Sequence, residues 1–405
     1  MTSTLSLDLR PGSGLGIFEL GTTLWTVLDL LRQHTTLFPR VDVKFDDSVV
    51  DAPVLLHVPP HLDLLFSARD QRLRVVAARR LREPAPPLQL LYRGTVLSSV
   101  SVNTSATPHQ RAGGPGRGER AQDVVLRRAD ISNHFGPTYA GDGLIYPGVS
   151  FLFDEDGPGG ASTTAGKAED RQREVRRVVV TQAKEEEGAE VAPDLLGHDE
   201  VRECPAMLGG LRRAIIRVHD GVILQFYPST ASPVHVRLGY TTAQDLTVDL
   251  GSPLRVYYKE DDRMAIHSRN KTPEAVEDGY FYNYFQHGID FLINGTTHIV
   301  QKIILHTNIP GTPMFQRYNR CPWEIEGEPE DEEDDSPPRV KFSEKLDVIS
   351  RFLNRGSREV VPSMQVDRTE DDRLTLLNST TRLVGFDGVV LEATESALVV
   401  AVTLF

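Results

Sequence analysis

The chain has 405 residues, 40% hydrophobic and 25% charged, enough length for two or three domains and enough apolar material for a real core. No run of 18 apolar residues occurs; the most apolar stretch, 54–66, is broken by Pro59 and Pro60 and is too short to cross a bilayer as a helix. The net charge of −13 is concentrated in 324–335, which holds nine acidic residues and no basic one, and no basic stripe with interleaved aromatics points to nucleic acid.

The first residues lack the basic-then-apolar layout of a secretory leader. Only Cys204 and Cys321 are present, each followed by proline. Neither a disulfide framework nor a cysteine metal cage is expected, and free buried thiols in a reducing, cytosolic setting fit best.

In chain order, 1–10 reads as a strand or loose arm. The glycine run Gly12, Gly14 and Gly16 then leads into an extended segment, 17–20. A nucleotide fingerprint needs G-x-G-x-x-G opening directly into a helix, so a turn entering a strand is the better reading. Thr22 or Thr23 caps a helix whose apolar face is Leu24, Val27, Leu28 and Leu31. Strands are expected at 41–45, 54–58, 62–66 and 73–77.

A weaker copy of this order begins near Asp123, with a helix over 124–135 ending in Gly136-Pro137 and strands at 149–153 and 175–181. A hairpin over 211–227 turns on Asp220-Gly221. The clearest copy spans 240–308. Thr241 or Thr242 caps a helix with Ala243, Leu246 and Leu250 inward, Gly251 stops it, and strands follow at 255–259, 280–285, 289–293 and 299–306. Ser343 opens a last helix on Leu346, Ile349 and Leu353, before strands over 383–392 and 397–405.

The expected fold class is therefore α+β: internally repeated units of one helix plus an antiparallel β-sheet, with long disordered insertions. The expected domains are 1–107, a first unit; 108–122, a flexible linker; and 123–182, a degenerate unit with an insertion at 155–174. An acidic linker at 183–203 precedes a hairpin and third unit at 204–323. A second acidic linker at 324–339 leads to a partial unit at 340–405. The insertions carry too few apolar residues to offset chain ordering.

Several long motifs carry a family likeness: 11–20, 66–76 (FSARDQRLRVV), 135–153 (FGPTYAGDGLIYPGVSFLF), 257–268 (YYKEDDRMAIHS), 280–290 (YFYNYFQHGID), 305–320 (LHTNIPGTPMFQRYNR) and the closing VAVTLF. Through these the chain resembles the phagophore assembly factor 1 family over nearly its whole length; the segments 155–174, 183–203 and 326–335 depart from it. The resemblance implies a cytosolic, non-enzymatic subunit of a protein complex acting in autophagy, recruited to the phagophore assembly site. It implies a β-propeller partner of the breast carcinoma amplified sequence 3 type, no cofactor and no catalytic residues. It also implies the trans-Golgi network and Golgi-to-plasma-membrane traffic, where the alternative function is a phosphoinositide-binding peripheral module working through an arginine run.

For partner contact, the dense aromatics Tyr280, Phe281, Tyr282 and Tyr284 are the first candidates, because exposed aromatic side chains dominate interface energetics. Tyr139, Tyr146, Phe315 and Tyr318, in loops rich in Gly and Pro, are the second. For an anionic lipid surface the candidates are Arg72, Arg74, Arg79 and Arg80, within a run that also holds Arg69, Arg82 and one acidic residue, Asp70. Against that stands a solvated outer strand face, where arginine discourages edge pairing. The acidic run 324–335 reads as a solvating linker, with attraction of a basic partner as the other reading. His306 with Asn308, Asp261, Asp262 and His267 could form a hydrolytic or metal constellation, but no ligand spacing or nucleophile elbow accompanies them.

Overall fold

Strand is the commonest regular structure in the computed structural model, which describes residues 4–46, 48–50, 52–100, 123–138, 143–153, 171–183, 201–258, 279–327, 337–354, 361–367 and 380–405. The expected linkers and insertions at 108–122, 155–174, 183–203 and 324–339 lie wholly or mainly outside these residues.

The N-terminal half begins with β1 (Leu5–Arg10), β2 (Gly14–Leu15), β3 (Phe18–Glu19) and helix α1 (Leu24–Gln33). Then come β4 (Asp42–Lys44), β5 (Val54–Val58), β6 (Leu62–Phe66), β7 (Leu73–Arg79), β8 (Leu88–Tyr92) and β9 (Thr95–Ser99). Helix α2 (Arg128–Phe135) precedes β10 (Gly143–Tyr146), β11 (Val149–Phe153) and β12 (Val175–Thr181). These form a five-stranded sheet, β3-β2-β1-β8-β9, and a seven-stranded sheet, β10-β11-β12-β7-β6-β5-β4.

The C-terminal half supplies β13 (Leu211–Arg217), β14 (Gly221–Phe226), β15 (Val234–Arg237), helix α3 (Ala243–Leu250) and β16 (Arg255–Tyr258). Next are β17 (Tyr280–Tyr284), β18 (Ile289–Ile293), β19 (Val300–His306), β20 (Trp323–Glu326) and β21 (Arg339–Lys341). Helix α4 (Leu346–Leu353) precedes β22 (Ser363–Asp367), β23 (Thr380–Phe386), β24 (Val389–Thr394) and β25 (Val399–Leu404). Their sheets run β15-β14-β13-β20-β21 and β16-β17-β18-β19-β25-β24-β23-β22.

This overturns the α+β reading. Among the described residues four helices of eight to ten residues lie against four large sheets, so the protein is mainly β, and its sheets do not respect the expected helix-plus-sheet units. The seven-stranded sheet joins β4 to β7, from the expected unit 1–107, to β10 to β12 from 123–182, through the β7–β12 ladder Val76↔Val180. The physical reason is that periodicity reports which residues alternate locally, while pairing between distant strands decides the unit. What the halves share is strand order. Each smaller sheet is closed by one parallel pair, Leu5↔Leu88 and Ala214↔Trp323.

Locally the helices follow their capping residues. Thr23 accepts from the Thr26 amide at 3.3 Å, and Leu24, Val27, Leu28 and Leu31 face the core; each such burial contributes roughly 1.5–3 kcal/mol. Thr242 and Asp245 form a reciprocal capping box at α3, and Gly251 ends it at a φ of 79°. The last helix starts after Lys345, not at Ser343. Glu324 and Glu326, read as linker residues, instead lie in β20, where Arg213 reaches Glu324 at 3.4 Å and Arg217 reaches Glu326 at 2.8 Å.

The halves meet along a polar seam. Gln71 and Asn308 exchange amide hydrogen bonds: Gln71 Nε2 donates to Asn308 O at 3.0 Å, and Asn308 Nδ2 to Gln71 Oε1 at 2.8 Å. Buried Arg320 donates from Nη1 to Ala68 O at 2.6 Å, from Nη2 to Val50 O at 3.1 Å, and from Nε to Thr307 O at 2.9 Å. Arg72, also buried, donates to Gly21 O at 2.9 Å and Leu211 O at 3.4 Å and stacks on the Tyr227 ring; burial lowers its pKa. Such cations satisfy carbonyls in turns and at strand ends that no ladder reaches.

Candidate functional site

The eight-stranded sheet has two faces with different fates, set by strand alternation. Inward go Tyr284, Ile289, Phe291, Ile293, Ile303 and Leu305, all in the core with α3 and α4. Outward go Tyr257, Phe281, Asn283, Asp290, Lys302, Ile304 and His306, which with residues of β23 to β25 floor a groove of about 790 Å³. The segment 308–318 forms one wall through Ile309, Pro313, Met314 and Tyr318.

A carboxylate anchors this wall to the floor. Asp290 is 4% exposed and its oxygens are filled: Asn283 Nδ2 donates to Oδ1 at 2.7 Å, Tyr318 Oη donates to Oδ2 at 2.6 Å, and His306 Nε2 lies 2.9 Å from Oδ2. The His306 and Tyr318 rings stack at 3.7 Å. Burial, then the neighbouring Asp290 charge, pushes the Tyr318 hydroxyl far above its ordinary pKa, so it stays a donor.

The N-terminal half has a counterpart at the same register. Asp63 pairs with His57 and Ala77 in its ladders, with Arg79 two residues on; Asp290 pairs with Asn283 and Ile304, with His306 two residues on. Arg79 Nε lies 3.1 Å from Asp63, and His57 Nδ1 lies 2.7 Å from it. There the face is shut around buried Val75, Ala77 and Val179. In the C-terminal half it stays open, with Tyr257 48% and Phe405 49% exposed.

The groove is electropositive at its rim. The Arg255 guanidinium lies over Tyr257 at 5.4 Å, Lys302 Nζ lies over Phe405 at 5.8 Å, and Arg317 donates to Met314 Sδ at 3.7 Å. None of the three forms an ion pair with a described carboxylate. Glu392, the other acid of the groove, accepts from Thr381 Oγ1 at 2.7 Å.

The predicted site residues separate as follows. Phe281 and Tyr318 line the groove. Tyr280 and Tyr282 face the other way, into a hollow of about 280 Å³ with Val256, Tyr258 and His298. Tyr284 is a core residue, its hydroxyl donating to Gly251 O at 2.8 Å, and is no contact residue. Phe315 and Tyr146 pack against the N-terminal core, Tyr146 donating to Gly136 O at 2.8 Å; Tyr139 lies outside the described residues. Of the arginines, Arg72 is held in the seam and Arg79 by Asp63, Arg74 is half-buried on β7, and Arg80 is exposed. The arginine run therefore does not form one surface strip.

His306 has Asp290 and the Tyr318 ring as its described partners, with no nucleophile among them, while Asp261, Asp262 and His267 lie outside the described residues. No group of three or more metal-ligating side chains occurs among the described residues. Cys321 is fully buried, and burial raises its thiol pKa; Cys204 Sγ donates to Leu20 O at 3.3 Å. Arg255, Lys302 and Arg317 were missed from sequence. The available signal was Arg255 and Tyr257 alternating with Val256 and Tyr258 on one short strand, all four exposed.

These features define a mainly β protein of two topologically matched halves, one of which presents an open, cation-rimmed groove. The chain matches the Phagosome assembly factor 1 family over residues 14–405 and belongs to that family. It is similar to a PHAF1 protein of Arabidopsis thaliana, 26% identical over 98% of this chain and 92% of that protein. It is 24% identical to a PHAF1 protein of Drosophila melanogaster over 79% of this chain and 74% of that one. A PHAF1 protein of Caenorhabditis elegans is 29% identical over 40% and 36% of the respective chains. No solved structure matches the chain. No described helix is long and apolar enough to cross a membrane.

Proposed function

We propose that this chain is a non-enzymatic subunit of a protein complex that acts in autophagy at the phagophore assembly site, and that the outer-face groove of the C-terminal half is where it holds a partner. The observation that carries the reading is family membership over almost the whole chain, in a family described as an assembly factor. The open groove supports it, because a mainly apolar concave face with aromatic rims suits protein contact. A β-propeller protein of the breast carcinoma amplified sequence 3 type is the partner that the family resemblance suggests. The lipid-surface reading is weaker, since Arg72 and Arg79 are engaged inside the fold.

The test is a cell line lacking the endogenous protein, complemented with wild type or with Tyr257→Ser plus Phe281→Ser. Wild type is expected to gather at starvation-induced phagophore assembly sites and to co-purify the propeller subunit. The double variant is expected to lose both while its Tm stays within about 3 °C, because Tyr257 is exposed and Phe281 half-buried. Normal recruitment and co-purification by the variant would remove the groove from the reading. A wild-type chain that co-purifies no subunit would remove the reading itself.

A further inference from the structure

The geometry points to an extended peptide segment of a partner, with two carboxylates four residues apart and an apolar residue midway between them, as the occupant of this groove. The inference rests on the groove being a protein-contact site. Arg255, Lys302 and Arg317 sit on Tyr257, Phe405 and Met314 and on no described carboxylate, which leaves their charge available to a ligand. Of the groove's own acids, Asp290 is filled by Asn283, Tyr318 and His306, and Glu392, which accepts from Thr381, forms no ion pair with the three cations. A mainly apolar floor beneath cations that form no ion pair with a described carboxylate is complementary to an acidic chain that also carries hydrophobic side chains.

The spacing follows from the sheet. Arg255 is on β16 and Lys302 on β19, three strands away in the order β16-β17-β18-β19. Arg255 stands level with Ile304, two residues along β19 from Lys302. At about 4.8 Å per strand and about 3.3 Å per residue the two positions are about 16 Å apart. Residues i and i+4 of an extended chain are about 13 Å apart, and the long arginine and lysine side chains close the difference. Residues i and i+4 of such a chain share a face, as does i+2. The outer two therefore meet the cations while the middle one falls beside Phe281, over the Asn283–Asp290 pair whose polar atoms are already engaged with each other. Met314, on the wall, is an adaptable cover for a side chain of variable shape. A phosphorylated headgroup concentrates its charge at one point and leaves the apolar part of this floor wet.

The experiment is a display selection of random ten-residue peptides on the full chain, followed by anisotropy titration of the best peptide. Enrichment of acid-x-apolar-x-acid sequences is expected. Arg255→Glu and Lys302→Glu should each weaken binding at least tenfold, while Lys341→Glu, exposed on β21, should stay within twofold. Affinity should fall as salt is raised. No enrichment, enriched peptides without the paired acids, or titrations indifferent to the groove reversals would each overturn the proposal. So would loss of phosphoinositide-vesicle binding in Lys302→Glu without any peptide enrichment, which would assign the cations to a headgroup. If Lys302→Glu still co-purifies the propeller subunit, the peptide proposal fails while the complex-subunit reading stands.

Discussion

Replacing Arg320 by Met tests how the halves are held together. Arg320 is 2% exposed and its guanidinium serves Thr307 O, Ala68 O and Val50 O, with a longer 3.4 Å bond to Arg69 O shared from Nη1, beneath the Phe342 ring at 5.5 Å. Methionine keeps much of the volume and removes every donor. Three interior carbonyls lose a partner, at roughly 1–3 kcal/mol each, but the variant no longer buries a cation, whose desolvation costs several kcal/mol. The opposing terms leave a net destabilisation of about 3 kcal/mol. With an unfolding entropy of about 2.1 cal/mol/K per residue, that lowers Tm by about 7 °C for a cooperative unit of about 200 residues. Calorimetry and urea titration read the loss, and hydrogen exchange should accelerate in 66–72 and 305–320 before the sheet centres open. Arg320→Lys should recover little, because one ammonium cannot reach carbonyls on three segments. A Tm within about 1 °C of wild type for Arg320→Met would refute the claim that this cation ties the halves.

Two further outcomes are expected. His287 is 8% exposed, packed on Phe226 at 5.1 Å, and burial pushes its pKa down to about 4. The unfolded chain takes up that proton near the ordinary histidine pKa and the folded one does not. Stability is therefore whole above about pH 6.5 and falls as pH drops toward about 4, by about 3 kcal/mol. Urea midpoints of wild type and His287→Phe should diverge over that window, and parallel curves would contradict the assignment. Gly148 turns at a φ of 80° against the backbone of Gly12, which donates to Gly148 O at 3.0 Å. Gly148→Ala should cost about 2–3 kcal/mol in thermal melts, since a Cβ there meets main chain that cannot move aside, and a neutral result would show that the loop can.

Much of the local structure was legible in the sequence. Val54–Val58, Leu62–Phe66 and Ile289–Ile293 end where alternation meets turn residues, and the threonine caps marked α1 and α3. The larger failures come from partners distant in the chain. β8 and β20 take their places through parallel partners far away in the chain, Leu5 and Ala214, which no local window contains. Glu324 and Glu326 looked like the start of a solvating run because Arg213 and Arg217 stand more than a hundred residues earlier. Helix starts slipped where the cap is Arg127 or Lys345, residues with no capping preference. Aromatic density found Phe281 and Tyr318 but could not tell which face Tyr284 would take, and the rim cations become a set only once β16 and β19 lie in one sheet.

The ladder between β7 and β12 governs how this protein can be divided in the laboratory. A polypeptide ending at residue 107 would contain β7 with its second edge bare, along Val75, Val76, Ala77 and Ala78. An apolar edge of that kind recruits other chains, so such a fragment should express as aggregate. The smallest soluble piece of the N-terminal half must run through Thr181, and its folding should be slow, because the strand that seals the sheet arrives some hundred residues after the one it covers.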